Sequence, residues 1–384
     1  MHIGILTQKW DSNYGGILQA AALQRVLQQL GHQVTVLDRR AADFRVGSKR
    51  FKDRVSAAME LFGLHRLKTL ARLKGFSPSL KQRALLRQHQ PQEAFISRNI
   101  NLSPLCHHPV SPKDAAATGA EAWVVGSDQV WRYAYQNAIR DCFLTFCTPE
   151  VRQKSITYAP SFGHDTWDAP AEDTEACRRL LADFKAVSVR EESGCELCKR
   201  TFGREAVFMP DPTLLLTAED YCRMCELPPE RPKGDYIAYY VLDMNPEVRD
   251  YIQRAEAATG LKAVDIMFDI PAEKRRKKDR KTPFRAVEEW MDLLSRAALV
   301  ITDSFHGSVF STLFRKDFVC LGNVHRGGAR FETLFGKLGL WDRMVEPEAA
   351  FALAPISPER WESIHAAVAQ LRERGRTYLE ENLK

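Results

Sequence analysis

His2-Ile3-Gly4-Ile5-Leu6-Thr7-Gln8 opens the chain, Lys9-Trp10-Asp11-Ser12-Asn13-Tyr14-Gly15-Gly16 follows, and then come a helical pattern from Ile17 to Leu30, Gly31, and a second apolar run from His32 to Leu37. The first run lacks polar alternation, as in a strand buried on both faces of a parallel sheet. Apolar residues at helical spacing from Ile17, with a glycine stop at Gly31, predict a helix. Strand, glycine-bearing loop, helix and strand make a βαβ unit, and Asp38 at the second strand's end suits a Rossmann-like topology. The loop lacks the full G-x-G-x-x-G spacing, so a dinucleotide is not expected there.

Outward from this unit, residues 41–100 read as a helical insertion rich in Leu, Arg and Lys. Short apolar runs resume at Ala122–Val125, Ser155–Tyr158, Ala186–Val189 and Ala206–Met209, each followed by polar or glycine-rich residues, as parallel strands of an α/β domain are. Pro210-Asp211-Pro212 punctuates the end of this half. Pro228-Pro229-Glu230-Arg231-Pro232-Lys233-Gly234 reads as a linker. A second alternation follows: strands at Tyr236–Val241, Lys262–Ile266, Leu299–Thr302 and Phe318–Leu321, helices between them, one from Ala286 to Ala297, and a long charged helix from Pro358 to Leu383. The expectation is an α/β chain of two facing Rossmann-like domains, about 1–230 and 231–355, with a helical insertion in the first and a C-terminal helix over 356–384. Ligands in such sheets bind beyond the carboxyl ends of the strands, so the polar residues there carry the most weight.

At 384 residues the chain is long enough for two cores. It has no window of eighteen uncharged apolar residues, and its first residues lack the basic start and long apolar run of a signal peptide, so a cytoplasmic address is expected. Nine scattered cysteines are no secreted disulfide framework. Cys195/Cys198 and Cys222/Cys225 have zinc-ligand spacing but sit in helical stretches without knuckle turns, so structural thiols and no metal are expected. The formal net charge of +6 is uneven: residues 39–90 hold fourteen Lys or Arg against three Asp or Glu, and 274–281 holds seven against Asp279. Such blocks suit an anionic membrane surface or nucleic acid, or are simply solvated faces. Single-strand binding expects interleaved aromatics, and the first block offers only Phe44, Phe51, Phe62 and Phe76, so no nucleic-acid partner is expected.

Four polar clusters follow predicted strands. Asn13, Tyr14, Gly15 and Gly16, with Gln19, sit at a helix start where bare glycines and the dipole favour an anion; a tight turn alone explains them as well. Ser127, Asp128 and Gln129, beside Trp131, suit sugar hydroxyls held by hydrogen bonds and a ring face; a helix cap is the alternative. Arg190, after Val187-Ser188-Val189, can grip a carboxylate or phosphate with two prongs, or pair with Glu191 or Glu192. The sharpest cluster is Thr302-Asp303-Ser304-Phe305-His306-Gly307-Ser308, where an apolar strand delivers His306 to a helix start that favours its neutral form, useful for proton traffic near neutrality.

Taken in order, N-Y-G-G-x-L-Q, V-V-G-S-D-Q-V-W, S-V-R-E-x-S, D-P-T and T-D-S-F-H-G-S-x-F-S resemble the polysaccharide pyruvyl transferase family over about residues 3–345. The resemblance implies a fold like that of two-domain, glycosyltransferase-B-like enzymes. It also implies a reaction: transfer of the enolpyruvyl unit of phosphoenolpyruvate, as donor and without further cofactor, onto sugar hydroxyls as a pyruvate ketal. The acceptor would be a sugar, nucleotide-sugar or lipid-linked saccharide, which gives the basic block a reason to approach a membrane. His306 falls on the family's catalytic histidine, and Asp303 is the residue expected to orient its ring. Arg190 falls on a donor-associated arginine; Ser304, Gly307 and Ser308 complete the donor loop. The family pattern has an arginine two residues before the histidine where this chain has Ser304; Arg330 is the expected replacement, ahead of Arg326.

Two other functions fit less of the sequence. A nucleotide-sugar glycosyltransferase would want an acidic residue on a ribose in the second domain, and Asp303 and Glu332 are candidates without compelling spacing. A non-enzymatic polyanion binder would rest on the basic blocks alone.

Overall fold

The computed structural model describes residues 1–8, 13–39, 80–106, 109–136, 138–269, 282–322 and 328–384, with side chains of the helix that begins at Leu80 described from Gln88 onward. Most of the first basic block (40–79), all of the second (274–281) and Arg326 lie outside the described residues, and with them the expectations attached to those segments.

The first domain carries β1 (His2–Leu6), β2 (Gln33–Val36), β3 (Ala122–Val125), β4 (Ile156–Thr157), β5 (Ser188–Val189) and β6 (Val207–Phe208). All pair in parallel, in the order β2-β1-β3-β4, and a parallel bridge from Ile156 to Ala186 leads on to β5-β6. The second domain carries β7 (Tyr236–Tyr240), β8 (Lys262–Asp265), β9 (Leu299–Thr302), β10 (Phe318–Leu321) and β11 (Met344–Val345), again parallel, in the order β11-β10-β9-β7-β8. The longer helices are α1 (Tyr14–Gln29), α2 (Leu80–Asn99), α3 (Ala171–Ala182), α4 (Glu192–Phe202), α5 (Pro246–Thr259), α6 (Val287–Arg296), α7 (Phe305–Leu313), α8 (Gly328–Leu338) and α9 (Pro358–Asn382). These are two Rossmann-like domains with their switch points, between β1 and β3 and between β7 and β9, on the sides that meet.

Side-chain alternation along each strand divides the apolar residues among three cores. Leu6, Trp123 and Val125 point into one, with Trp131 and Phe143. Ile237, Tyr239, Leu299 and Ile301 point into another, under α5. The opposite faces of both sheets, represented by Ile5, Val124, Tyr240 and Val300, belong to a single continuous core that runs from one domain into the other. The domains are therefore joined mainly by apolar packing beneath the polar strand ends.

Helix α9 does not stay with the second domain. Tyr378 donates its hydroxyl to Thr157 O at 3.0 Å, Lys185 Nζ donates to Asn382 O at 2.8 Å, and Gly375 leaves room for the Tyr158 hydroxyl, which would lie 2.3 Å from a Cβ there. The terminal helix thus straps the second domain to the first. Among the described residues no helix is long and apolar enough to cross a membrane.

Candidate active site

Two helix starts face one another where the domains meet. In the first domain the chain leaves β1 and enters α1 through Asn13, whose Oδ1 accepts from Gly15 N at 3.1 Å and whose Nδ2 donates to Asp128 Oδ2 at 3.2 Å. In the second it leaves β9 and enters α7 through Ser304, whose Oγ accepts from Gly307 N at 3.4 Å. These are ordinary polar N-caps. His306, the second residue of α7, is buried, and its ring occupies the space a side chain at Gly15 would need: a Cβ there would lie 2.0 Å from Nδ1.

Around the ring stand residues from three strand ends of the first domain. Asp211, after β6, brings Oδ2 to 3.4 Å from His306 Nε2, which is ion-pair distance although the ring N–H is not aligned for a hydrogen bond. The same carboxylate accepts from Arg190 Nη1 at 2.5 Å, Ser127 Oγ at 3.2 Å, Thr213 N at 3.0 Å and Thr213 Oγ1 at 2.7 Å. Arg190, after β5, also reaches Asp128 Oδ1 at 3.3 Å. Asp128, after β3, holds a left-handed backbone at φ 64°, a strained conformation outside glycine that sets its carboxylate between Asn13 and Arg190.

Burial alone would raise the Asp211 carboxyl, but the His306 imidazole, the Arg190 guanidinium and the Thr213 N–H outweigh it and hold it well below the usual carboxylate range. Burial works against Asp128 in the same way, and Arg190, His306 and Arg330 overcome it. Arg190 is stabilised as a cation by both carboxylates despite burial. Arg330, on α8, is buried with less compensation: burial and the neighbouring Arg190 charge bring it down to about 10, so it keeps its charge at neutral pH. The two guanidiniums share one aromatic surface, with Arg190 Cζ 4.8 Å and Arg330 Cζ 5.7 Å from the centre of the Phe305 ring. A small pocket opens beside them, lined among others by Phe208, Pro210, Phe305 and Lys337. Burial pushes the neighbouring Glu191 carboxyl up; its Oε1 accepts from Ser161 Oγ at 3.1 Å and Phe162 N at 2.7 Å.

Of the residues the sequence singles out, Asn13, Gly15, Ser127, Asp128, Arg190, Ser304, His306 and Arg330 come together here, and Gly16 borders Asp128. Gln19 sits just below, its amide donating to Thr7 Oγ1 at 2.7 Å and Gly16 O at 2.9 Å to brace the loop.

Several expected contacts are corrected. Asp303 does not orient His306: its oxygens accept from Leu242 N and Asp243 N at 2.7 and 2.9 Å, tying β9 to the end of β7, and the carboxylate beside the ring is Asp211. Trp131 offers no ring face to a sugar, being fully buried, stacked on Phe143 and donating Nε1–H to Cys142 O at 3.1 Å. Tyr14 is buried too, stacked on Trp290 with its hydroxyl on Arg285 O at 2.8 Å. Ser308 turns its hydroxyl back to Ser304 O at 3.3 Å, and a Cβ on Gly307 would strike the Thr302 side chain, so both serve the fold of α7. Gln129 Oε1 accepts from Arg132 Nη1 at 2.8 Å. Arg190 pairs with Asp128 and Asp211 instead of with Glu191 or Glu192. Sequence reading gives Asp211 no role of its own, although it follows a predicted strand and opens the D-P-T stretch that carries part of the resemblance; the flanking prolines read as punctuation. Among the described residues no cluster of three or more His, Cys, Asp or Glu could hold a metal ion.

None of the curated sequences matches this chain. Among solved structures it is similar to Arabidopsis thaliana UGT89C1 complexed with UDP-L-rhamnose (13% identity, TM-score 0.48, covering 100% of this chain and 99% of that one). It is also similar to UDP-GlcNAc 2-epimerase from Neisseria meningitidis bound to UDP-GlcNAc (10% identity, TM-score 0.46, covering 100% and 94%). The sequence model of the polysaccharide pyruvyl transferase family matches residues 13–325, a span that begins at the Asn13 cap and takes in Asp128, Arg190, Asp211 and His306, with Arg330 just beyond it. The chain belongs to the polysaccharide pyruvyl transferase family.

Proposed function

We propose that this protein transfers the enolpyruvyl unit of phosphoenolpyruvate to hydroxyls of a saccharide and closes it as a pyruvate ketal. The observation that carries the reading is the pair of buried guanidiniums, Arg190 and Arg330, on the Phe305 ring beside the His306 imidazole. Phosphoenolpyruvate has a carboxylate, a phosphate and a small apolar vinyl group; two cations over an apolar floor match those needs. The neighbouring helix starts add N–H dipoles of the right sign.

The reaction needs one proton delivered to the methylene carbon, which leaves C2 cationic. An acceptor hydroxyl oxygen then bonds to C2 and gives up its proton, and the C2–O bond to phosphate breaks. A second hydroxyl adds at C2 and completes the ketal, so two hydroxyl hydrogens are replaced and inorganic phosphate leaves. His306 is the group suited to give the first proton or take the second. Arg190 and Arg330 hold the anionic ends and stabilise phosphate as it departs. The acceptor enters from the side of Asn13, Gly16 and Asp128.

The test is phosphate release from phosphoenolpyruvate across a panel of free, nucleotide-linked and lipid-linked saccharides, with nucleotide sugars as rival donors. Acceptor-dependent phosphate release with a mass gain equal to a pyruvate ketal is expected. Glycosyl transfer from a nucleotide sugar, without phosphate release from phosphoenolpyruvate, would overturn the proposal.

A further inference from the structure

Asp211 belongs to the D-P-T stretch but receives no role from the sequence, yet its carboxylate gathers Arg190, Ser127, Thr213 and His306 around it. It is 1% exposed and sits between one cation fixed by the first domain and one imidazole supplied by the second. Its Oδ1 is fixed by Thr213 N and Thr213 Oγ1, so the carboxylate cannot swing. Its Oδ2 serves Arg190 and Ser127 and lies against His306 Nε2. The other edge of the imidazole is pressed on Gly15, where no side chain fits. The ring is thus clamped between a backbone that gives it space and a carboxylate that gives it charge.

We propose that Asp211 is the positioning residue of His306: it keeps a proton on Nε2 and ties the orientation of the ring to that of Arg190 through one shared oxygen. The inference rests on the reading of His306 as the proton-transfer residue. An opposite charge at this distance stabilises the charged form of an imidazole, and a buried, hydrogen-bonded carboxylate does so without reorganising. Other charged groups surround the ring. Arg190 and Arg330 oppose the imidazolium, Asp128 supports it from the end of β3, Glu191 lies beyond Arg190, and Asp303 on the ring's own segment is occupied by backbone N–H groups. Among the described carboxylates, Asp211 alone combines ion-pair contact with His306 and contact with Arg190.

Asp128 supplies the control, because it too pairs with Arg190 but makes no ion pair with His306. If Asp211 acts through His306, Asp211→Asn lowers kcat about ten- to a hundredfold, less than the 10²–10⁴ that a general acid contributes. It also moves the basic side of the kcat–pH profile down by about one pH unit. Asp128→Asn changes the donor KM and moves that limb by clearly less than Asp211→Asn does, because Asp128 makes no ion pair with the ring. Ring 15N shifts of His306, assigned by their loss in His306→Gln, report the proton on Nε2 in the wild type and its redistribution in Asp211→Asn, and they need no turnover. Should Asp211→Asn fail to fold, Asp211→Glu keeps the charge but displaces it: the expected result is the same drop in kcat with the limb held near its wild-type pH. Indistinguishable pH profiles and ring shifts for Asp211→Asn and Asp128→Asn would overturn the inference, leaving Asp211 a partner of Arg190 alone. Full activity in His306→Gln would instead sink the reading of His306 itself.

Discussion

Asn13-Tyr14-Gly15-Gly16 and Ser304-Phe305-His306-Gly307 are the same piece of structure used twice. Each follows a parallel strand, each caps a helix with a short polar side chain, and each places an aromatic at the first helical position. They differ at the second position, glycine in one and histidine in the other, and those two positions are the ones that meet. The aromatics diverge as well: Tyr14 stacks on Trp290 within the shared core, whereas Phe305 faces the guanidiniums. One helix start supplies space and adhesion, the other supplies chemistry. The histidine can be fully buried at a domain junction because the opposing helix gives up its side chain there.

The largest expected effect tests the chemical half. His306→Gln keeps the size and polarity but cannot gain or lose a proton near neutrality, so kcat should fall about 10²–10⁴-fold with donor affinity nearly unchanged. A variant retaining more than about a tenth of the wild-type kcat would make the two helix starts equivalent after all. The spatial half is tested by Gly15→Ala, whose methyl would sit 2.0 Å from Nδ1 and 2.1 Å from Cγ of His306. Ring or domain must move; a loss of kcat of about tenfold or more and a stability cost of about 1–3 kcal/mol are expected. At Gly16 the nearest atoms to an added Cβ are 3.6 Å away, so the alanine there should cost far less on both measures. Equal costs at the two glycines would remove the special role of Gly15.

The two arginines on Phe305 should also part company. Arg190→Ala strands Asp128 and Asp211 without their cation, and breaking such a buried pair typically costs about 3–5 kcal/mol, visible as a lower urea midpoint. Arg330 lies over the Phe305 ring and lines the pocket beside it, so its alanine variant should act mainly on the donor, raising KM by about one to two orders of magnitude. The pH dependence follows with a defined sign. Asp128 and Asp211 titrate below their ordinary value of 3.8 in the folded state, so their contribution is present above that value and is lost as pH falls toward the depressed ones. Wild-type stability should therefore drop steeply below about pH 4, and Arg190→Ala should flatten that slope. An unaltered slope would mean that Arg190 is not what holds the two carboxylates ionised.

Much of this arrangement is legible in the sequence because parallel strands advertise themselves as short apolar runs and because ligand sites lie at their carboxyl ends. Ala122–Val125, Leu299–Thr302 and Phe318–Leu321 fall where the pattern places them, and Asp128, Arg190 and His306 converge for that reason. What the sequence does not carry is direction. Trp131 and Tyr14 sit in motifs that look exposed, yet their rings turn into cores, and Ser308 turns along its own helix. Asp303 is close to His306 in sequence while Asp211, from the other domain, is close in space; only the closure of two sheets on one another decides between them. The return of α9 to the first domain is likewise a long-range choice that an amphipathic pattern cannot specify.

The smallest expected effect concerns adhesion. Tyr14 belongs to the first domain but donates its hydroxyl to Arg285 O at 2.8 Å and lies within 3.3 Å of Met267 O, both in the second, while its ring lies 5.1 Å from that of Trp290. Burial and neighbouring negative groups push its phenol well above the ordinary value of 10, so it remains a donor at any physiological pH. Tyr14→Phe keeps the stack and deletes the donor, leaving carbonyls that have lost a partner inside the seam. A neutral hydrogen bond of this kind contributes about 1 kcal/mol net, with somewhat more at stake where an acceptor is left dry. The expected outcome is a modest fall in the urea midpoint for the whole chain, seen together by tryptophan fluorescence and by far-ultraviolet dichroism, because the shared core makes the domains unfold as one. If the two signals separate in Tyr14→Phe, the hydroxyl rather than the apolar packing is what couples the domains, and the adhesive role assigned to the first helix start rests on one polar contact.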